Sequence, residues 1–305
     1  MSVAPVHPGP QATNRLLPIA MAVLGIASFS IMDALMKRAS LASGVYTALL
    51  VRCLMSAAML APVWRAGGGR HMPSAPVMRL HALRGLLQAG LAGAFFWGVV
   101  RTPLAEGIAI SFIAPLIALF LASVLLGETI RREAVIASLF GLSGVTVIAV
   151  AGVNEPGRSD DAGWGVAAIM LSAVLYAWNI ILQRKQALLA GPVEVVLFQS
   201  AFAALVMLPM FPLWWRTPAP WELLDIAGAA LLASAALMLL SWAYGRAEAQ
   251  VLVPIEYTAF GWSALMGWLW FAEPVTHATL VGLTLIIAGV WLGTRRNREP
   301  CPPPG

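Results

Sequence analysis

The chain has 305 residues, of which 60% are hydrophobic and only 11% charged, with a formal net charge of +5. Soluble domains carry about 25% charged residues, so the composition excludes a water-facing globule. The basic surplus does not indicate nucleic acid, because Lys and Arg are scattered between apolar runs and no cluster is dense enough to track a phosphate backbone.

Residues 1–15 are Pro-rich or polar and read as a disordered cytoplasmic tail. Apolar runs follow at 16–36, 45–64, 85–100, 104–126, 134–152, 163–183, 192–215, 224–245, 250–271 and 276–294. Spanning a bilayer takes about 20 apolar residues. Barrel strands are shorter and alternate, so the prediction is an all-α integral membrane protein of ten transmembrane helices. Helices also satisfy their backbone hydrogen bonds internally, as hydrocarbon demands. The first run, Leu16 to Met36, reads as a retained helix because further spans follow it. Connections are short except Arg65 to Arg84 and Val153 to Asp161. Both contain Gly, Pro and charge and read as solvent loops. Residues 295–305 read as a second cytoplasmic tail. Of the two cysteines, Cys53 falls in a span and Cys301 in that tail, and neither fits a disulfide framework or a metal-ligand spacing.

Lys and Arg counts set the expected orientation. With a cytoplasmic N-terminus, thirteen of the 19 fall in inside segments, Arg84 among them, and five outside; Arg52 lies within a span. The excess places both termini in the cytoplasm and the acidic loop 153–162 outside.

The chain also repeats itself. Asp33-Ala-Leu-Met-Lys-Arg38 lies over Asn179-Ile-Ile-Leu-Gln-Arg184. Gly44 and Pro62 lie over Gly191 and Pro209, Leu126-Gly127-Glu128 over Phe271-Ala272-Glu273, and Gly144-Val145 over Gly289-Val290. Two units, 16–152 and 163–294, each hold five predicted spans. Five is odd, so the second unit enters the membrane from the opposite side. Inverted repeats of this kind underlie many secondary transporters, with the binding site near the midplane between the halves.

These residues resemble the drug/metabolite transporter superfamily, specifically its EamA-type members. Ala105-Glu106-Gly107-Ile108-Ala109-Ile110-Ser111-Phe112-Ile113-Ala114-Pro115, running on to Glu128, looks like the family's fourth-helix signature. Pro254-Ile255-Glu256-Tyr257-Thr258-Ala259, running on to Glu273, looks like its ninth-helix counterpart. The resemblance covers about residues 16–294. It implies two EamA repeats around a central cavity lined mainly by helices 1, 3, 4, 6, 8 and 9. The family carries amino acids, nucleotide-type metabolites, vitamins, polyamine-like cations and drugs. Ala272 departs from the pattern, where a Gly is usual, which implies looser packing at that helix end.

Ionisable groups inside spans are costly and mark function. Asp33 sits near the end of the first helix. Lys37, four residues on, can pair with it, either as a helix anchor or beside the cavity. Asn179 is the repeat equivalent of Asp33. Arg52 in the second helix is a candidate for a substrate carboxylate or for neutralising Asp33, against simple snorkelling; its repeat partner is Gln199. Glu256 follows Pro254, which distorts a helix. A desolvated carboxyl there could take up and release a proton or bind an ammonium. Glu128 and Glu273 read as structural residues at helix ends. Trp97, Tyr176, Trp178, Trp242 and Tyr257 could stack on a planar substrate or hold a cation, with lipid-facing packing expected for about half of the deeper aromatics. Ser111, within the fourth-helix signature, completes the candidate substrate-binding set.

Gly141-Leu142-Ser143-Gly144 matches a pattern of intramembrane serine proteases. That chemistry needs a histidine within reach, and His7, His71, His81 and His277 all read as lying in tails, loops or helix ends. Close helix packing by small residues explains the motif better. With no metal motif or P-loop, no cofactor, metal, ATP-driven pump or enzyme is expected. The partners are a small molecule and the bilayer, and the protein is a monomer or homodimer of the inner membrane. The expected function is secondary transport of a small organic metabolite, with amino acids or related compounds, exported, as the lead. The alternatives are import of a cofactor-type metabolite such as S-adenosylmethionine or riboflavin, and a passive facilitator.

Overall fold

A computed structural model describes residues 16–67, 72–111, 113–126, 132–152 and 161–272, with isolated positions 277, 280–282, 284, 285 and 288. Among them there is no β-strand. The elements are α1 (Leu16–Ser43), α2 (Val45–Ala66), α3 (Ala75–Val99), α4 (Leu104–Ser111), α5 (Ile113–Leu126), α6 (Arg132–Gly152), α7 (Ala162–Ala187) and α8 (Pro192–Met207). A 3₁₀ turn at Leu208–Met210 leads into α9 (Phe211–Trp214). Then come α10 (Pro220–Tyr244), α11 (Ala249–Leu252), a 3₁₀ stretch Val253–Thr258 and α12 (Ala259–Phe271). Six helices among the described residues are long and apolar enough to cross a membrane. The tenth predicted run, with Glu128, Glu273 and Cys301, lies mainly or wholly outside the described residues.

Proline sets several helix starts. Pro76, Pro192 and Pro220 occupy the first turns of α3, α8 and α10, where a missing N–H costs nothing. At α10 the Ala219 N–H donates to Glu222 Oε2 at 3.0 Å, a further N-terminal satisfaction.

The start of α3 corrects one expectation. Arg65 to Arg84 was expected to be a solvent loop, but the helix begins at Ala75 and carries Arg79, His81 and Arg84. Arg84 is 0% exposed, so it carries no orientation signal. An apolar-run reading halts at the first charge. It cannot see that His81, Arg84 and Gln88, at helical spacing, find polar partners on neighbouring helices.

The packing crosses between the two sequence units. α1 lies along α10 and α3 along α7, while α2 packs on α8. α1 corresponds to α7 and α3 to α10 in the repeat, so the first two contacts are equivalents of each other. Close approach is enforced at Gly98, where a Cβ would lie 2.6 Å from the Gly165 carbonyl oxygen. Arg38 of α1 forms a two-pronged ion pair with Asp225 of α10, the Nε to Oδ2 bond measuring 2.6 Å.

Candidate functional site

A cavity of about 170 Å³ opens between the two units. Its apolar part comes from Ile26, Phe29, Leu91, Phe95, Phe96 and Leu240. Its polar part comes from Asp33, Arg52, Gln88, Ser111, Tyr176, Asn179, Gln183 and Glu256. Six of the expected residues therefore meet here: Asp33, Arg52, Ser111, Tyr176, Asn179 and Glu256.

Glu256 sits in the 3₁₀ stretch, with Pro254 in that stretch's first turn. There the chain leaves the α-helical path between α11 and α12. Non-helical backbone at membrane depth is tolerated where it lines a cavity. The carboxylate is 5% exposed and accepts two phenolic hydrogen bonds, from Tyr244 at 2.6 Å and from Tyr176 at 2.9 Å. Tyr176 comes from α7 and Tyr244 from α10, so one acid ties two helices to the cavity wall.

Asp33 and Arg52 line the same cavity, and the Arg52 charge attracts the Asp33 carboxylate. Arg52 is buried, its Nη1 lies 3.7 Å from the Met32 sulfur, and its Nε has no hydrogen-bond partner. Lys37 reaches the Thr102 carbonyl oxygen at 3.1 Å and stands over the Phe271 ring. Ser111 lies at the end of α4 and donates to the Gly107 carbonyl at 3.0 Å.

The other five expected residues do not line the cavity. Trp97 is 39% exposed and Trp178 44% exposed. Arg101 stacks on the Trp97 ring at 3.7 Å. Trp242 is partly buried and carries Arg246 over its ring at 4.1 Å. Gln199 is buried behind the wall, its Nε2 donating at 2.9 Å to Gln88, which does line it. Tyr257 is fully buried against α6, where a Cβ at Gly141 would come within 2.6 Å of its ring. That contact supplies the packing role expected for the Gly-x-Ser-Gly motif. Ser143 is exposed and bonds the Phe140 carbonyl at 2.9 Å. His81 is a second correction: it is buried within α3, not in a loop, because Gln186 and Glu194 give its two ring nitrogens partners.

Sequence reading passed over a polar cluster that joins α3 to α7 and α8. Fully buried Arg84 donates from Nε to Asn179 Oδ1 at 3.0 Å, from Nη2 to Gln183 Oε1 at 2.8 Å, and from Nη1 to Gln186 Oε1. Gln186 Nε2 reaches His81 Nδ1, and His81 Nε2 lies 3.3 Å from Glu194 Oε1. The signal was present on α7: Tyr176, Asn179, Gln183 and Gln186 recur at spacings of three and four within an apolar helix.

Such a chamber, ringed by helices and holding both charge signs, suits a carrier of small molecules more than a catalyst, and comparison with known proteins agrees. The family model described as the EamA-like transporter family matches twice, over residues 16–150 and 163–295. The chain belongs to the EamA-like transporter family and carries two EamA repeats. It is a multi-pass membrane protein. The chain is similar to a pseudopaline exporter of Pseudomonas aeruginosa, 24% identical over 88% of this chain and 93% of that protein. It is also similar to a probable terminal-alkyne amino-acid exporter of Streptantibioticus cattleyicolor, 28% identical over 66% and 67%. A riboflavin transporter of Rhizobium johnstonii is 26% identical over 72% of each chain. These relatives are named transporters, not enzymes. One solved crystal structure shares the fold, with a TM-score of 0.75 at 20% identity over 95% of this chain and 100% of that one.

Proposed function

We propose that this protein exports amino acids or related zwitterionic metabolites across the inner membrane, by alternating access at the central cavity. The observation that carries this reading is the mixture of charge in one small chamber: Arg52 offers a cation, and Asp33 and Glu256 offer carboxyls. A zwitterion needs both signs within the length of one small molecule. Arg52 is buried with its Nε unbonded, which is unfavourable in the empty cavity and is relieved when an acceptor arrives. Among the relatives, one is named for pseudopaline export and one for export of an amino acid, which supports the same direction and class.

The proposal includes ten membrane-spanning helices, units at 16–152 and 163–294 inverted with respect to each other, and both termini in the cytoplasm. The reciprocal contacts α1 with α10 and α3 with α7 fit a two-fold relation between the units, and the odd number of predicted spans in each unit makes that relation an inversion. A sidedness reporter fused after residue 152 is expected to lie opposite the N-terminus. The same side for both would remove the inversion.

The function is tested with the full chain in proteoliposomes and a radiolabelled panel of amino acids, nucleosides and vitamins, measured for uptake and efflux. Amino-acid flux that falls in Glu256→Gln supports the reading. Flux confined to nucleosides or vitamins would overturn it and favour a cofactor-type importer, which the riboflavin transporter relative represents. Varying pH and membrane potential separates a coupled carrier from a passive facilitator.

A further inference from the structure

We propose that Asn179 and Gln183 form the subsite for a substrate carboxylate, and that Arg84 is the residue that positions them for it. The inference rests on the amino-acid reading above. Arg84 does not line the cavity; Asn179 and Gln183 do.

A carboxamide has one branch that accepts and one that donates, and it can be turned either way about its last torsion. A guanidinium donates and never accepts. Arg84 therefore fixes the choice. Both amide oxygens point to it, at 3.0 Å for Asn179 and 2.8 Å for Gln183. The N–H₂ branches are then turned away from Arg84, in two residues that line the cavity. The Gln183 Nε2 is buried without a hydrogen-bond partner, in a residue only 4% exposed. Buried donors are rarely left unsatisfied without a reason. A ligand acceptor in the cavity supplies one.

The third amide locks the arrangement from behind. Gln186 gives its oxygen to Arg84 and its N–H₂ to His81 Nδ1. His81 then holds its proton on Nε2, facing the Glu194 carboxylate at 3.3 Å. Every member of the chain has one orientation open to it. At Asn179 and Gln183 the α7 wall thus keeps its amide donors free, with a fixed positive charge behind them. An anion is favoured there, and a carboxylate, with two oxygens, matches two amide N–H groups side by side. Asp33 and Glu256 remain for the ammonium end.

The test uses isosteric exchange in the purified full-length protein in nanodiscs. Binding is read as thermal-melt shift against ligand concentration, for each amino acid and its matched primary carboxamide. Gln183→Glu and Asn179→Asp keep an oxygen for Arg84 but replace the N–H₂ donor with an acceptor. Each is expected to lower the acid-to-carboxamide affinity ratio by roughly tenfold or more, because a hydrogen bond to a charged group is lost and repulsion is gained. Arg84→Lys retains the charge but cannot hold three amides in one plane. It is expected to lower the same ratio by a smaller factor. A purely structural role for these residues would change melting temperature and leave the ratio alone. An unchanged ratio in Gln183→Glu and Asn179→Asp, with loss of the ratio in Arg52→Gln, would place the carboxylate on Arg52 and overturn the subsite while leaving the amino-acid reading intact. Absence of any acid preference in the wild type would overturn both.

Discussion

Helices α1 and α7 hold corresponding places in the two repeats, yet they present opposite chemistry to the cavity. On α1 the polar position is Asp33, a carboxylate that shares the chamber with Arg52. On α7 it is Asn179, a neutral amide held by fully buried Arg84. Arg52 in turn corresponds to Gln199, which is withdrawn behind Gln88. The backbone plan is duplicated, and the charge is not. A cavity with identical walls would bind either end of an asymmetric molecule equally well. Unlike walls would favour one orientation of an asymmetric molecule, so on the proposed function divergence between the copies is where specificity enters.

The strongest way to break this contrast is to remove the guanidinium behind α7. Arg84→Met strips three amide oxygens of their donor and is expected to cost about 3 kcal/mol of stability, at about 1 kcal/mol for each lost bond. Thermal melting of the detergent-solubilised protein checks it, and an unchanged midpoint would mean that the amides are not held this way. A second substitution makes the two helices alike. Asp33→Asn places the α7 amide on α1, and transport is expected to fall about tenfold, the size of one lost charge-assisted hydrogen bond, with melting little changed. Flux at the wild-type rate would show that the α1 charge is dispensable.

The Glu256 clamp sharpens the comparison further, since Tyr176 of α7 and Tyr244 of α10 both serve it. Tyr244→Phe and Tyr176→Phe are each expected to lower stability by about 1 to 2 kcal/mol. Each should couple to Glu256→Gln in a double-mutant cycle, and strict additivity would deny the contact. The smallest effect lies at a helix end. The first unit has Gly127 where the second has Ala272. Ala272 caps α12 with φ 53°, in the left-handed region that favours glycine. The sequence suggested looser packing at this departure; the structure shows a strained backbone. Ala272→Gly is expected to raise stability by about 1 kcal/mol, measured as a higher melting midpoint.

Part of the cavity lining was legible in advance because hydrocarbon penalises polarity so heavily. Asp33, Arg52 and Glu256 stood out simply as charges inside apolar runs, and all three reach the cavity. Aromatic rings gave no such signal. Trp97 and Trp178 are as welcome at the lipid face as at a binding site, and exposure places them outside. Arg84 and His81 were read as loop residues because a window of apolar residues must end at a charge, whatever the backbone does next.

The sequence by itself determined the medium, the helical class and the duplication, because these follow from composition, run length and self-similarity, which are local or statistical properties of the chain. Only the tertiary structure decided which polar side chains share a chamber and which way each amide turns. Those depend on what stands opposite: Asn179 and Gln183 lie 95 and 99 positions from Arg84 along the chain, and no local pattern encodes a partner that arrives from another helix.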